Sequence, residues 1–107
     1  MYMKTITVET LHQHMSGLDP KKELIIDVRT PEEYASGHIP GAVNRELDDV
    51  EAHRDELATY ETVYVHCKSG GRSAQACDRL ATIGLENVVN IEGGALAWQM
   101  AGFTLEV

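Results

Sequence analysis

The chain has 107 residues, 43% of them hydrophobic, which is enough for one modest core and predicts a single domain over 1–107. A formal charge of −8, from 17 acidic against 9 basic residues, argues against nucleic acid and against an anionic membrane surface as partners. No apolar run approaches the length of a bilayer span, and the stretch from Met1 to Glu9 lacks the apolar core and cleavage site of a signal peptide, so a cytoplasmic location is expected.

Lys4-Thr5-Ile6 predicts a short first strand, and Thr7 an N-cap for a helix through Val8, Leu11 and Met15 that stops at Gly17. Asp19 to Lys22 is a polar turn. Leu24 to Val28 is an apolar run interrupted only by Asp27, which suits a strand covered on both faces. Thr30-Pro31-Glu32-Glu33 carries a full capping-box signature and predicts a helix of about two turns ending at Gly37. Pro40-Gly41 marks a turn before a small strand at Ala42-Val43. From Leu47 to Leu57 the apolar residues Leu47, Val50 and Leu57 share one side, predicting an exposed amphipathic helix.

Thr62 to His66 is a strand, Arg72 to Ile83 a helix stopped by Gly84, and Val88 to Ile91 a further strand. Gly93-Gly94 opens a helix over Ala95, Leu96, Trp98 and Met100 that Gly102 closes, leaving Phe103 to Val107 as a tail placed to pack back on the domain. Strands alternating with helices predict an α/β fold with a mainly parallel sheet. Ligands in such sheets sit at the carboxyl ends of the strands, where Cys67 lies on one strand and Asp27 and Arg29 on another.

Cys67 stands where strand 62–66 gives way to Lys68-Ser69-Gly70-Gly71-Arg72 and then to a helix. The amides of a tight loop and the helix N-terminus both favour an anion. The thiol should therefore ionise more easily than a free cysteine at about 8.5. Thr62 to Cys77 contains no Asp or Glu but includes Lys68 and Arg72, so the loop reads as an anion site. Ser69-Gly70-Gly71 lets the backbone curl closely around a ligand.

Cys67 is expected to be the cysteine of the exposed loop. Cys77, in a helical stripe of small residues with Ala74, Ala81 and Gly84, is expected to be a buried packing residue. Two cysteines do not suggest a disulfide framework, no Cys/His spacing matches a zinc site, and nothing points to a cofactor. Asp27 with Arg29 reads as a hydrogen-bonded support for neighbouring loops. His66 should point to the face opposite Cys67. His38 reads as turn-stabilising, His12, His14 and His53 as solvated, Trp98 as a core anchor, and Glu32 and Glu33 as helix-capping residues.

His66 to Ser73 resembles at first the cysteine phosphatase signature His-Cys-x5-Arg-Ser/Thr, but only four residues separate Cys67 from Arg72. A shorter ring of amides forms a smaller cup, better suited to a sulfur atom on the cysteine than to a tetrahedral phosphate. That loop length is the one found in single-domain rhodaneses, the thiosulfate sulfurtransferases, and the resemblance covers nearly the whole chain. Asp27-Val28-Arg29-Thr30-Pro31-Glu32-Glu33-Tyr34 followed by Gly37-His38-Ile39-Pro40-Gly41-Ala42-Val43-Asn44 is similar to the family's N-terminal signature. Gly93-Gly94-Ala95-Leu96-Ala97-Trp98 followed by Ala101-Gly102 is similar to its C-terminal one.

The resemblance implies a small five-stranded, mainly parallel sheet flanked by helices on both faces. It further implies a double displacement in which Cys67 takes the outer sulfur of thiosulfate or a related small anionic donor. The resulting persulfide, held by residues Lys68, Ser69, Gly70, Gly71 and Arg72, then yields its sulfur to cyanide or a thiol. Arg72, at the motif's last position, acts by charge, by fixing the loop, or by both; Lys68 fills a variable position and guides anionic donors by charge alone. Three other readings stay open on the residues: a persulfide carrier exchanging sulfur with a relay protein, a cysteine phosphatase or arsenate reductase, and a non-catalytic interaction domain. The intact Cys67 and Arg72 count against the last.

Overall fold

The apolar runs form strands that need cover on both sides, and the helical segments between them supply it. The computed structural model describes residues 3–107; the first two residues of the predicted domain lie outside these. The strands are β1 (Thr5–Ile6), β2 (Glu23–Asp27), β3 (Val43–Asn44), β4 (Thr62–His66) and β5 (Val88–Ile91). They form one sheet in the order β1-β5-β4-β2-β3, and every pairing is parallel. The helices are α1 (Val8–His14), α2 (Pro31–Ala35), α3 (Arg54–Leu57), α4 (Gly71–Thr82) and α5 (Gly94–Met100).

The two-residue period of the central strand divides the core. Val63 and Val65 of β4 join Ile26, Ala76, Cys77, Leu80, Val50 and Leu57 on one face. Tyr64 joins Ile25, Ile91, Val8, Leu11 and Trp98 on the other. One face is thus covered by α4 and segment 47–57, the other by α1 and α5. The predicted local signals at the helix starts are present: Thr7 accepts from the Thr10 amide, and Thr30 and Glu33 form a complete capping box.

Four expectations need correction. The first concerns segment 47–57, which is not one α-helix: Leu47–His53 winds as a 3-10 helix and only Arg54–Leu57 is α-helical. Asp48, Asp49, Val50 and His53 are poor helix formers, and the amides of Arg45 and Leu47 are bound by the carbonyls of Asp27 and Val28 at the exit of β2, which sets the entry angle. The buried anchors Val50 and Leu57 are kept. Second, the small strand is Val43–Asn44 rather than Ala42-Val43, since Ile26 and Asp27 pair with those residues.

Third, the sheet-facing residues of α4 are Ser73, Ala76, Cys77 and Leu80. Cys77 belongs to that face, but Ala74, Ala81 and Gly84 do not. The face also includes Ser73, a polar residue that a stripe of small apolar residues leaves out.

The fourth correction concerns His14, which is half-buried and paired; His12 is exposed, as expected, and makes one ring contact. His12 stacks on Phe103 at 3.8 Å between ring centroids, and His14 Nε2 meets Glu23 Oε1 at 2.6 Å. The returning tail brings Phe103 to α1, and Glu106 forms an antiparallel bridge with His38. No helix among the described residues is long and apolar enough to cross a membrane.

Candidate active site

The register that pairs Asp27 with His66 sets the carboxyl ends of β2 and β4 side by side. Cys67 follows His66 directly. The loop is exposed as expected, at Lys68, Ser69 and Gly71, but Cys67 itself is 1% exposed, because the residues that follow curl over it. Gly70, at φ +110°, turns the chain back, and its amide donates to Cys67 Sγ at 3.0 Å. Sγ lies 3.5 Å from the hydroxyl of Ser73. That hydroxyl in turn meets Asn90 Oδ1 at 2.5 Å and the Gly70 carbonyl at 3.0 Å. Burial by itself would push the thiol up. Hydrogen bonding with the Ser73 side chain and from the amides of Ser73, Gly70 and Ser69 outweighs it and holds Cys67 below the ordinary thiol value.

The start of α5 completes the loop from behind. The amide of Ala95 donates to the Cys67 carbonyl and that of Leu96 to the Lys68 carbonyl, both at 2.9 Å. In a trans peptide the carbonyl and the next N–H point in opposite directions. Drawing these two carbonyls toward α5 therefore turns the amides of Lys68 and Ser69 away from it. Gly94 permits the approach: a Cβ there would lie 2.3 Å from the Cys67 carbonyl oxygen, and its φ is +56°.

Arg29 donates to the Asp27 carboxylate through its amide (2.9 Å), Nε (3.0 Å) and Nη2 (2.7 Å), and Nη2 also donates to the Gly37 carbonyl at 2.6 Å. Both side chains are buried. Asn44 Nδ2 donates to the carbonyls of Asp27 and Arg29, so the exits of β2 and β3 are tied together. His66 lies fully buried: Nδ1 meets the Cys67 carbonyl at 3.2 Å, while Nε2 lies 3.7 Å from Asp27 Oδ2 and has no hydrogen-bond partner. Burial pushes it down to about 4 against the opposing charge of Asp27. It is therefore a neutral ring beneath the loop.

Lys68, Ser69 and Gly71 are exposed and Gly70 is half-buried. Lys68 borders a hollow of about 170 Å³ shared with Arg29, Leu96 and Gln99. A larger hollow of about 340 Å³ lies elsewhere, beside Lys4, Glu86 and Cys77. The thiol there is pushed up to about 12, chiefly by burial, so the bigger space is chemically the quieter one. Among the described residues no group of three or more His, Cys, Asp or Glu side chains is placed to hold a metal ion.

Arg72 departs from the sequence picture of a loop free of acids. Its Nη1 and Nη2 donate to Glu33 Oε1 at 2.7 Å and Oε2 at 2.9 Å. The window without carboxylates is real along the chain but not in space, because α2 delivers Glu33 to the end of the loop. Sequence reasoning missed this partner, and also Ser73 and Asn90. Ser73 closes the loop motif, and Asn90 is the polar residue inside the apolar strand β5, so each carried a weak signal.

A family model described as rhodanese-like domain matches residues 7–101. A protein from Allochromatium vinosum named sulfurtransferase is 35% identical over 100 residues, which is 94% of this chain and 92% of that one. Thiosulfate sulfurtransferase 16, chloroplastic, from Arabidopsis thaliana is 35% identical over 89 residues, covering 72% of this chain and 74% of its own. The crystal structure of a rhodanese-like domain protein from Staphylococcus aureus superposes with a TM-score of 0.83 at 36% identity and covers 98% of both chains.

Proposed function

The chain belongs to the rhodanese-like family, and from that premise we propose that it is a sulfurtransferase working through a persulfide on Cys67, with thiosulfate or a related sulfane-sulfur compound as donor. The observation that carries this reading is the convergence of the Gly70 amide, with those of Ser69 and Ser73, on a single sulfur. Such a cup stabilises negative charge on sulfur before and after loading, as an oxyanion hole does for oxygen.

In the first half-reaction the Cys67 thiolate attacks the outer sulfur of thiosulfate. A new S–S bond forms, the bond to the sulfonate sulfur breaks, and sulfite leaves with that electron pair. In the second, cyanide or a thiolate attacks the outer sulfur of the persulfide and Cys67 leaves as thiolate. The amides of Lys68 to Arg72 line the cup, Lys68 draws anions toward it, and Asp27 with Arg29 fixes the adjoining loop. Both cysteines are free, which fits a reducing compartment such as the cytoplasm.

The test is mass spectrometry of the intact protein after exposure to thiosulfate. The protein should gain the mass of one sulfur atom, lose it on adding cyanide, and gain nothing as Cys67→Ser. A wild-type protein that takes up no sulfur overturns the reading.

A further inference from the structure

Arg72 ends the Cys67 loop, and its charge interacts with that of Cys67. Glu33 Oε1 accepts the Thr30 amide and the Thr30 hydroxyl, each at 3.2 Å, while also accepting Arg72 Nη1. One carboxylate thus closes the first turn of α2 and holds the guanidinium at the end of the loop. The hydrogen bonds from Arg72, with those from Thr30, drive Glu33 down to about 2, so it is ionised wherever a thiolate exists. The pair is only partly buried, at 36% and 31% side-chain exposure for Arg72 and Glu33. Its field therefore reaches an arriving ligand as that of a neutral unit. Lys68, exposed and in no ion pair among the described residues, is left as the loop's uncompensated cation.

We infer that Glu33 is a specificity-determining residue. By holding Arg72 in a bidentate pair, it withholds from the cup the charge that a dianionic donor would use, and it favours singly charged donors of sulfane sulfur. This inference rests on the sulfurtransferase reading and adds to it a preference in donor charge. Thiosulfate carries two negative charges. A thiosulfonate anion, R–SO2–S⁻, offers the same sulfur to the same attack, releases a sulfinate in place of sulfite, and carries one. An alkyl persulfide anion belongs to the same singly charged class.

Glu33→Gln is the discriminating variant. Glutamine at this position retains the capping box, so α2 keeps its N-terminus while the negative charge is removed. Any general change in the loop, including a shift in how readily Cys67 ionises, alters loading from both donors alike and cancels in their ratio. The ratio responds to the donor's extra charge.

The second-order rates of sulfur uptake by Cys67 are measured from thiosulfate and from methanethiosulfonate. In Glu33→Gln the thiosulfate-to-thiosulfonate ratio should rise about three- to tenfold, the scale expected for one added unit of charge acting on the donor's second charge near the surface. The rise should appear in KM and shrink with added salt. Adding Arg72→Met to Glu33→Gln should cancel it, and Arg72→Met alone should move the ratio the opposite way by leaving Glu33 unmatched. An unchanged ratio in Glu33→Gln, or an equal rise when Arg72 is absent, overturns the inference while leaving the sulfurtransferase reading intact. Failure of the wild-type protein to load from either donor overturns both.

Discussion

Replacing Gly94 by alanine probes the contact on which the loop rests. The added Cβ would fall 2.3 Å from the Cys67 carbonyl oxygen and 2.9 Å from the carbonyl carbons of Cys67 and Lys68, and all three are backbone atoms that no side-chain rotation moves aside. The backbone at Gly94 is also left-handed, at φ +56°, which costs an L-residue about 1–2 kcal/mol. Relieving the clash requires the loop and α5 to separate. That weakens the bonds from Ala95 to the Cys67 carbonyl and from Leu96 to the Lys68 carbonyl, at about 1 kcal/mol each. The total is about 3–4 kcal/mol, a large fraction of the roughly 5–15 kcal/mol that holds a domain folded.

Urea unfolding followed by circular dichroism measures that loss, and the rate of Cys67 alkylation reports the state of the cup. Gly94→Ala should lower the midpoint strongly and slow alkylation in the folded protein at neutral pH, because amides turned out of place no longer lower the thiol's pKa. Gly17→Ala is the control: that glycine has open space around it and no positive φ, so the change should be neutral or slightly stabilising. If Gly94→Ala matched wild type in both midpoint and alkylation rate, the account of how α5 positions the loop would be wrong.

Two further outcomes follow from the buried titratable groups. His66 is pushed down to about 4 by burial, so in acid the unfolded chain, titrating near 6.5, binds the proton before the folded one does. Its share of stability is present above about 6.5 and is lost as pH falls toward about 4; an imidazole resonance of His66 titrating near 6.5 in the folded protein would refute this. Cys77, pushed up to about 12, should resist iodoacetamide at neutral pH while Cys67 is modified, as read by peptide mapping. Cys77→Ser should retain sulfur uptake, and complete loss of uptake would contradict its place as a packing residue.

What could be read from the sequence is what short-range chemistry determines. Thr30 and Glu33 are three residues apart, and their capping box is a property of one helical turn. The strands of Thr62–His66 and Val88–Ile91 announce themselves by composition, and the placement of Cys67 at a strand end follows from them. What could not be read depends on distant segments meeting. Glu33 looked fully explained by its helix, so nothing suggested a second partner 39 residues away. The burial of Cys67 requires the loop to close over it, which depends on Gly70 and on support from α5. The 3-10 winding of Leu47–His53 depends on where β2 delivers the chain. Apolar spacing found its buried residues and misjudged its helical type.

The fastenings of the Cys67 loop come from α2, β5 and α5, elements scattered along the chain, and this bears on how the protein folds. Contacts so far apart in sequence form slowly, because the intervening chain must be ordered before they reward it. The loop sequence alone cannot assemble the cup, and a nascent or partly unfolded chain carries at position 67 an ordinary cysteine. Any reactivity that the cup confers on Cys67 would therefore be acquired only once these distant contacts have formed. The rate at which Cys67 becomes reactive during refolding would time the docking of α5, and incomplete chains would be spared premature reaction at this thiol.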